Sequence, residues 1–173
     1  RVAETILTSK TPLIYAGQGV LYSGASQELQ ELAELTNIPV TTTMAGKGSI
    51  DERHHLSLGS SSVVMNGAVL HYMKTSDTIL AVGTSLTKHG MVTTIPDGKK
   101  IIHITNDPID IGNYYQPDDA LQGDAKLVIR QLIEACSDLL STRDRPESPA
   151  NQIREIKSAW SKSWEKKLTS KES

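Results

Sequence analysis

One stretch constrains the fold more than any other. Thr78 to Gly83 (TILAVG) is apolar almost without interruption, yet no longer than a strand. A run with no polar alternation offers no face to water, so it must be a strand covered on both sides. Its surroundings repeat the theme. Pro12 to Ala16 (PLIYA) is a second apolar strand, ending in Gly17-Gln18-Gly19, and residues 24–36 carry Leu29, Leu32, Ala33 and Leu35 at helical spacing behind Ser23 as N-cap. Ile38 to Thr42 reads as a strand with Pro39 at its start, where a missing N–H is tolerated, and a Gly-rich loop (Ala45 to Ser49) follows. Residues 63–74 read as a helix and Lys100 to Thr105 as another strand. Leu121-Gln122-Gly123 reads as the fifth, and Asp124 caps a helix that runs to Leu140. Buried strands alternating with helices predict an α/β fold: a doubly wound, mostly parallel sheet with helices on both faces, a Rossmann-like nucleotide-binding topology. Aromatics are only 4% and Phe is absent, so the core must rest on Ile, Leu, Val and Ala.

Residues 1–140 form the α/β unit in this reading, and residues 141–173 a linker and tail. The linker (STRDRPESPA) is polar and holds two prolines. Beyond it Ile153, Ile156, Trp160, Trp164 and Leu168 step by three or four, which predicts an amphipathic helix that packs its apolar stripe on its own or a neighbouring domain. Eighteen Lys and Arg against twenty Asp and Glu leave a net charge of −2, with no basic stripe for nucleic acid. No apolar run approaches the roughly 18 residues that span a membrane. Cys136 stands alone, which excludes an intrachain disulfide and suits a reducing, cytoplasmic setting. A start at Arg1, without Met and inside a helical pattern, is expected of a segment of a longer chain.

The familiar site motifs fail in instructive ways. Gly17 and Gly19 open a GxGxxG pattern that would let backbone approach a ligand, but Tyr22 occupies the third glycine position. Asn37 to Thr43 lacks the acidic ribose ligand of an NAD site. Gly46-Lys47-Gly48-Ser49 misses the P-loop spacing, with Thr41 where its first Gly belongs. Gly83-Thr84-Ser85-Leu86-Thr87 breaks the nucleophile elbow at Thr87. His54 and His55 are expected to diverge as solvated loop residues and to hold no metal. The loops after the strands carry Gly, Thr, Ser, Met and amides, the equipment of a nucleotide cradle rather than a catalyst.

Several segments taken in order carry a resemblance. They are Tyr15 to Val20, Gly24-Ala25, Ile38 to Gly48 (IPVTTTMAGKG), His55 to Gly59, Ser76 to Gly83, Ile101 to Pro108, Asp110-Ile111-Gly112 and Gly123-Asp124-Ala125. From Pro12 to about Leu140 the chain resembles the central domain of thiamine diphosphate-dependent enzymes, closest to the acetolactate synthase-like branch. The tail is similar to the linker leading into the third domain of such enzymes. The resemblance implies a parent 2-oxo acid carboligase or decarboxylase using thiamine diphosphate and Mg²⁺, neither held by this chain alone. It implies pyrimidine-binding and diphosphate-binding domains as partners, a homo-oligomer, and no catalytic residue here. The family's nucleotide contacts would fall on Gly17, Gln18, Gly19, Thr43, Met44, Gly59, Gly83, Thr84, Thr105, Asn106 and Asp124. Flavin-binding relatives show Gly-Met-His-Gly where this chain has Ser62-Val63-Val64-Met65, Arg at Ser85, and Asp at Thr105. A charged hydrogen bond contributes about 1.5–3 kcal/mol, so these departures predict that FAD is not retained and that any ligand is a weakly bound adenine nucleotide, with an empty site the equal alternative. The alternatives of another class are a stand-alone nucleotide-binding module and a sirtuin- or deoxyhypusine synthase-like NAD domain. The last would need a catalytic His and zinc-binding cysteines, which the sequence does not offer.

Overall fold

The computed structural model describes residues 1–62, 64–88, 90 and 94–169, without the side chains of 166–168. Helix α1 (Val2–Thr8) leads into strand β1 (Pro12–Ala16), the short helix α2 (Gln18–Tyr22) and α3 (Ser26–Thr36). Strands β2 (Val40–Thr43) and β3 (Ser57–Ser61), helix α4 (Gly67–Thr75) and strand β4 (Thr78–Val82) follow. The chain then forms β5 (Lys100–Thr105), a 3-10 turn (Pro108–Asp110), β6 (Asp119–Gln122), α5 (Ala125–Leu140) and α6 (Ala150–Thr169). The six strands make one sheet in the order β3-β2-β1-β4-β5-β6, and every pairing is parallel. This is the doubly wound α/β fold that the apolar runs predict.

β4 is buried at all five positions, as an uninterrupted apolar strand requires. It pairs with β1 on one side (Tyr15 opposite Ala81) and β5 on the other (Ala81 opposite His103). Helices α1, α2 and α3 pack against α5, while α4 packs with α6. Asp124 caps α5 as expected, its carboxylate accepting from the Leu127 N–H at 3.2 Å.

Four readings need correction. β3 was missing from the expected strands because its sequence, SLGSS, lacks the β-branched residues that signal a strand. Its pairing to β2 is irregular between Val40 and Thr41 and leaves it at the sheet edge. β6 begins two residues before the expected Leu121 and alternates half-buried with exposed positions, the pattern of the opposite edge. Ser23 does not cap α3: its hydroxyl donates to Gly19 O at 2.9 Å, closing α2, and Ala25 holds the cap position of α3. The helix expected at 63–74 starts at Gly67, where Asn66 accepts from the Ala68 and Val69 N–H groups; Val63 lies outside the described residues.

The tail helix docks by its first half. Ile153 enters the core at 2% exposure and Ile156 packs partly buried beside it. Tyr72 Oη donates to Gln152 Oε1 at 2.7 Å, and Lys157 Nζ donates to Ser57 O at 2.5 Å. Burial pushes the Lys157 ammonium below its ordinary pKa. Trp160 lies against the bare Gly67, and the Trp160 and Trp164 rings sit 5.9 Å apart, both more than a third exposed. The side chain of Leu168 lies outside the described residues.

Candidate functional site

A sheet in this order has a switch point where the chain leaves β1 toward β2 while β4 lies on the other side. Ligands of open α/β sheets settle in the crevice beyond the strand ends there. In this protein that crevice is a cavity of about 920 Å³, at the upper end of the ~300–1,000 Å³ usual for small-molecule sites.

Three glycines build its base by fitting into each other. Gly17 N–H donates to Val82 O and Gly19 N–H to Gly83 O, both at 2.8 Å. A Cβ on Gly17 would stand 2.3 Å from Gly83 O, and one on Gly19 would stand 2.8 Å from Gly83 Cα. Gly83 itself has φ 59°. Gly17 and Gly19 thus admit the close approach of the β4 loop, and Gly19 also lines the cavity. Two N–H groups at the N-terminus of α2 are also committed, Gly19 N–H to Gly83 O and Val20 N–H to Gly17 O.

The loop after β4 is held from beneath. His103, fully buried on β5, donates from Nε2 to Thr84 O at 2.7 Å, while its Nδ1 makes no hydrogen bond. Thr84 Oγ1 accepts from Leu86 N–H at 3.3 Å, and Leu86 has φ 49°, a conformation that favours glycine. After β5, Thr105 Oγ1 accepts from Asp107 N–H at 3.2 Å and donates to Asp110 Oδ2 at 3.3 Å. Asp107 Oδ1 accepts from Ile109 N–H. On the far wall Tyr115 Oη accepts from Ile95 N–H at 3.0 Å, with Lys88 Nζ 4.3 Å from the ring centroid. Tyr15 is 2% exposed, and burial pushes its hydroxyl above the ordinary phenol range against a smaller opposing pull from Ser61.

The structure brings eight of the eleven expected site residues to this cavity: Gln18, Gly19, Thr43, Met44, Gly83, Thr84, Thr105 and Asn106. Gly17 is packed beneath it. Gly59 lies away from it, with φ 105° and room for no side chain, because a Cβ would stand 2.8 Å from Asn66 Nδ2. Asp124 borders only a shallow side pocket of about 150 Å³, and its carboxylate is committed to the α5 cap. The sequence reading missed Tyr15, Ser61, Asp107, Asp110 and Tyr115 as lining residues. Their position at strand ends next to expected residues was the available signal.

His54 and His55 also differ from expectation. Their rings lie 4.3 Å apart, and His54 is mostly buried, bonded through Nε2 to Glu34 Oε1 at 2.9 Å while Nδ1 accepts from Leu56 N–H. His89 lies outside the described residues. Among the described residues no three His, Cys, Asp or Glu come together as metal ligands. No described helix is long and apolar enough to cross a membrane.

Residues 1–132 match the family model described as the central domain of thiamine pyrophosphate enzymes. The chain belongs to this family. The central domain is 36% identical over 162 residues to a Methanococcus aeolicus protein named as a probable acetolactate synthase large subunit, covering 92% of this chain and 26% of that protein. A Methanocaldococcus jannaschii protein of the same name is 39% identical over 137 residues, covering 78% and 23%. A solved Mycobacterium smegmatis structure, described as thiamin diphosphate-dependent, superposes with a TM-score of 0.63 at 28% identity, covering 77% of this chain and 26% of that one. The central domain thus spans about a quarter of the length of the curated relatives it matches. Membership favours the thiamine diphosphate reading over the sirtuin-like one.

Proposed function

We propose that this central domain is a scaffold and ligand-binding unit of an acetolactate synthase-like enzyme that joins or decarboxylates 2-oxo acids. Thiamine diphosphate with Mg²⁺ would supply the electron sink for that chemistry. This chain's described residues bring no metal-ligand cluster to such a cofactor, so its site belongs to the pyrimidine-binding and diphosphate-binding partner domains of a cytoplasmic homo-oligomer. The part of this chain is to hold those domains in register and to offer its own cavity.

The observation that carries the reading is the make-up of that cavity. Hydroxyls and amides (Thr43, Thr84, Ser85, Thr105, Asn106, Gln18) surround it, beside the carboxylates of Asp107 and Asp110. Ser85 and Thr105, which replace charged partners in flavin-binding relatives, both line it, as does Val64. The residues present do not fit the diphosphate of FAD, and an adenine-bearing ligand held by neutral groups is the better match. Incubating the purified chain with thiamine diphosphate, Mg²⁺ and pyruvate tests the first half. No CO₂ or acetolactate above the buffer blank is expected, and turnover would overturn it. A yellow preparation with stoichiometric flavin absorbance would overturn the second half.

A further inference from the structure

The edge strand β3 takes its order from outside itself. Its residues, SLGSS, have little strand preference, and its pairing with β2 is irregular between Val40 and Thr41. Two successive carbonyls at its start are held by side chains from other elements. Ser57 O accepts from Lys157 Nζ on α6 at 2.5 Å, and Leu58 O accepts from Asn66 Nδ2 at 2.8 Å. Asn66 caps α4, and at the next residue, Gly67, the side chain of Trp160 on α6 fills the space a Cβ would need. α6 therefore supports the edge strand twice: directly through Lys157, and through Trp160 lying over the α4 cap.

The far end of the same strand is a wall of the cavity. Ser61 lines it, followed by Ser62. Ser61 is buried against the Tyr15 hydroxyl, while Ser60 Oγ lies 3.0 Å from Thr42 Oγ1 and Thr41 Oγ1 donates to Gly59 O at 2.8 Å. A strand of five residues is too short to loosen at one end and stay fixed at the other. α6 itself sits lightly on the body. Of its described residues only Ile153 is buried, and every residue from Ser158 to Glu165 is exposed. An element held by so few buried apolar groups opens locally, well below the cost of global unfolding.

Whatever the cavity binds, we propose that α6 is a detachable strap that sets the order of the β3 wall. Docked, it fixes Ser57–Ser61 and the wall that ends in Ser61 and Ser62. Released, it lets that wall loosen while the α/β body stays folded. A contact that draws Lys157 and Trp160 off the body then alters the cavity from a distance, and anything that orders the wall holds the strap down by the same coupling.

Hydrogen exchange of the purified chain, read peptide by peptide, tests this. In the unsubstituted chain α6 is expected to exchange faster than β4, through an opening that low urea promotes. Lys157→Met keeps the aliphatic stem and removes the donor to Ser57 O, and Trp160→Ala removes the cover over Gly67. Each should speed exchange across residues 57–62 several-fold and leave β1, β4 and α5 unchanged. Lys162→Met, the same change on an exposed part of α6, should leave residues 57–62 as they were. Exchange of α6 only at the rate of β4, or protection of residues 57–62 that persists in both Lys157→Met and Trp160→Ala, would overturn the proposal. So would a rise shared equally by β1, β4 and α5, or one that Lys162→Met reproduces.

Discussion

Replacing Gly17 by Ala isolates the contact that shapes the base of the cavity. Gly17 has φ −100°, which any residue adopts, so the substitution carries no backbone penalty of its own. The whole cost is crowding. The new Cβ would lie 2.3 Å from Gly83 O, 2.6 Å from Thr84 Cβ and 2.7 Å from Thr84 Cα. Two of these are backbone atoms, so no flexible side chain can swing aside. The β1 and β4 ends would have to part by about 1 Å to reach ordinary contact. That separation strains or breaks the Gly17–Val82 and Gly19–Gly83 hydrogen bonds. Overpacking costs about 1–3 kcal/mol and each hydrogen bond about 0.5–1.5 kcal/mol, which together predict a loss of about 2–6 kcal/mol. Gly24→Ala is the matched contrast. Gly24 has φ 62° and nothing within 4 Å of a Cβ, so its cost of about 1–2 kcal/mol is conformational alone. Urea unfolding followed by far-ultraviolet dichroism would compare the two. A Gly17→Ala loss under about 1 kcal/mol, or one no larger than that of Gly24→Ala, would refute the crowding argument.

Other substitutions probe the tail and the core. In Gly67→Val the added carbons meet the Trp160 ring, which already lies 3.1 Å from a Cβ at that position; Trp emission should shift to the red, and an unchanged spectrum would contradict the packing. Tyr72→Phe removes the bond to Gln152 and should cost about 0.5–1.5 kcal/mol, with faster proteolysis between α5 and α6 as the local readout. Cys136 is buried, and burial raises its thiol to about 11 from an ordinary 9.0. Its pKa is raised by folding, so its contribution to stability is whole below pH 9 and is lost as pH climbs toward 11. Cys136→Ser should flatten that limb of the stability profile, and a thiol reagent should label the native protein only as fast as it opens.

The central strands were legible because burial on both faces leaves a mark in composition. β1 and β4 are continuous apolar runs, and no other element fits such a run at strand length. The edges left no such mark. Ser57–Ser61 can be a strand because β2 pairs with it and α4 packs on it, not because of its own residues. α2 is only five residues long, too short for periodicity to register. Ser23 shows how a cap signal can attach to the wrong helix: a hydroxyl between two helices serves whichever terminus it reaches, here the carbonyl of Gly19 at the end of α2.

The site was legible to the extent that strand ends are. Thr43, Gly83, Thr84, Thr105 and Asn106 lie at or just beyond the ends of β2, β4 and β5, and a parallel sheet gathers such positions by its topology. Glycine was ambiguous for a physical reason. A Gly after a strand signals that something approaches the backbone closely, but the sequence does not say whether that is a ligand or another part of the chain. At Gly17 it is Gly83 O, and at Gly59 it is the Asn66 amide, whose Nδ2 also donates to Leu58 O and so ties β3 to α4. Asp124 presented the same ambiguity, for a carboxylate before a helix can meet a ribose or cap the helix, and here it meets the Leu127 N–H. The charge of the cavity followed from neither motif nor topology. It depends on Asp107 and Asp110 standing together after β5 with no cation among the described lining residues to balance them. Only the folded arrangement brings that imbalance to one place.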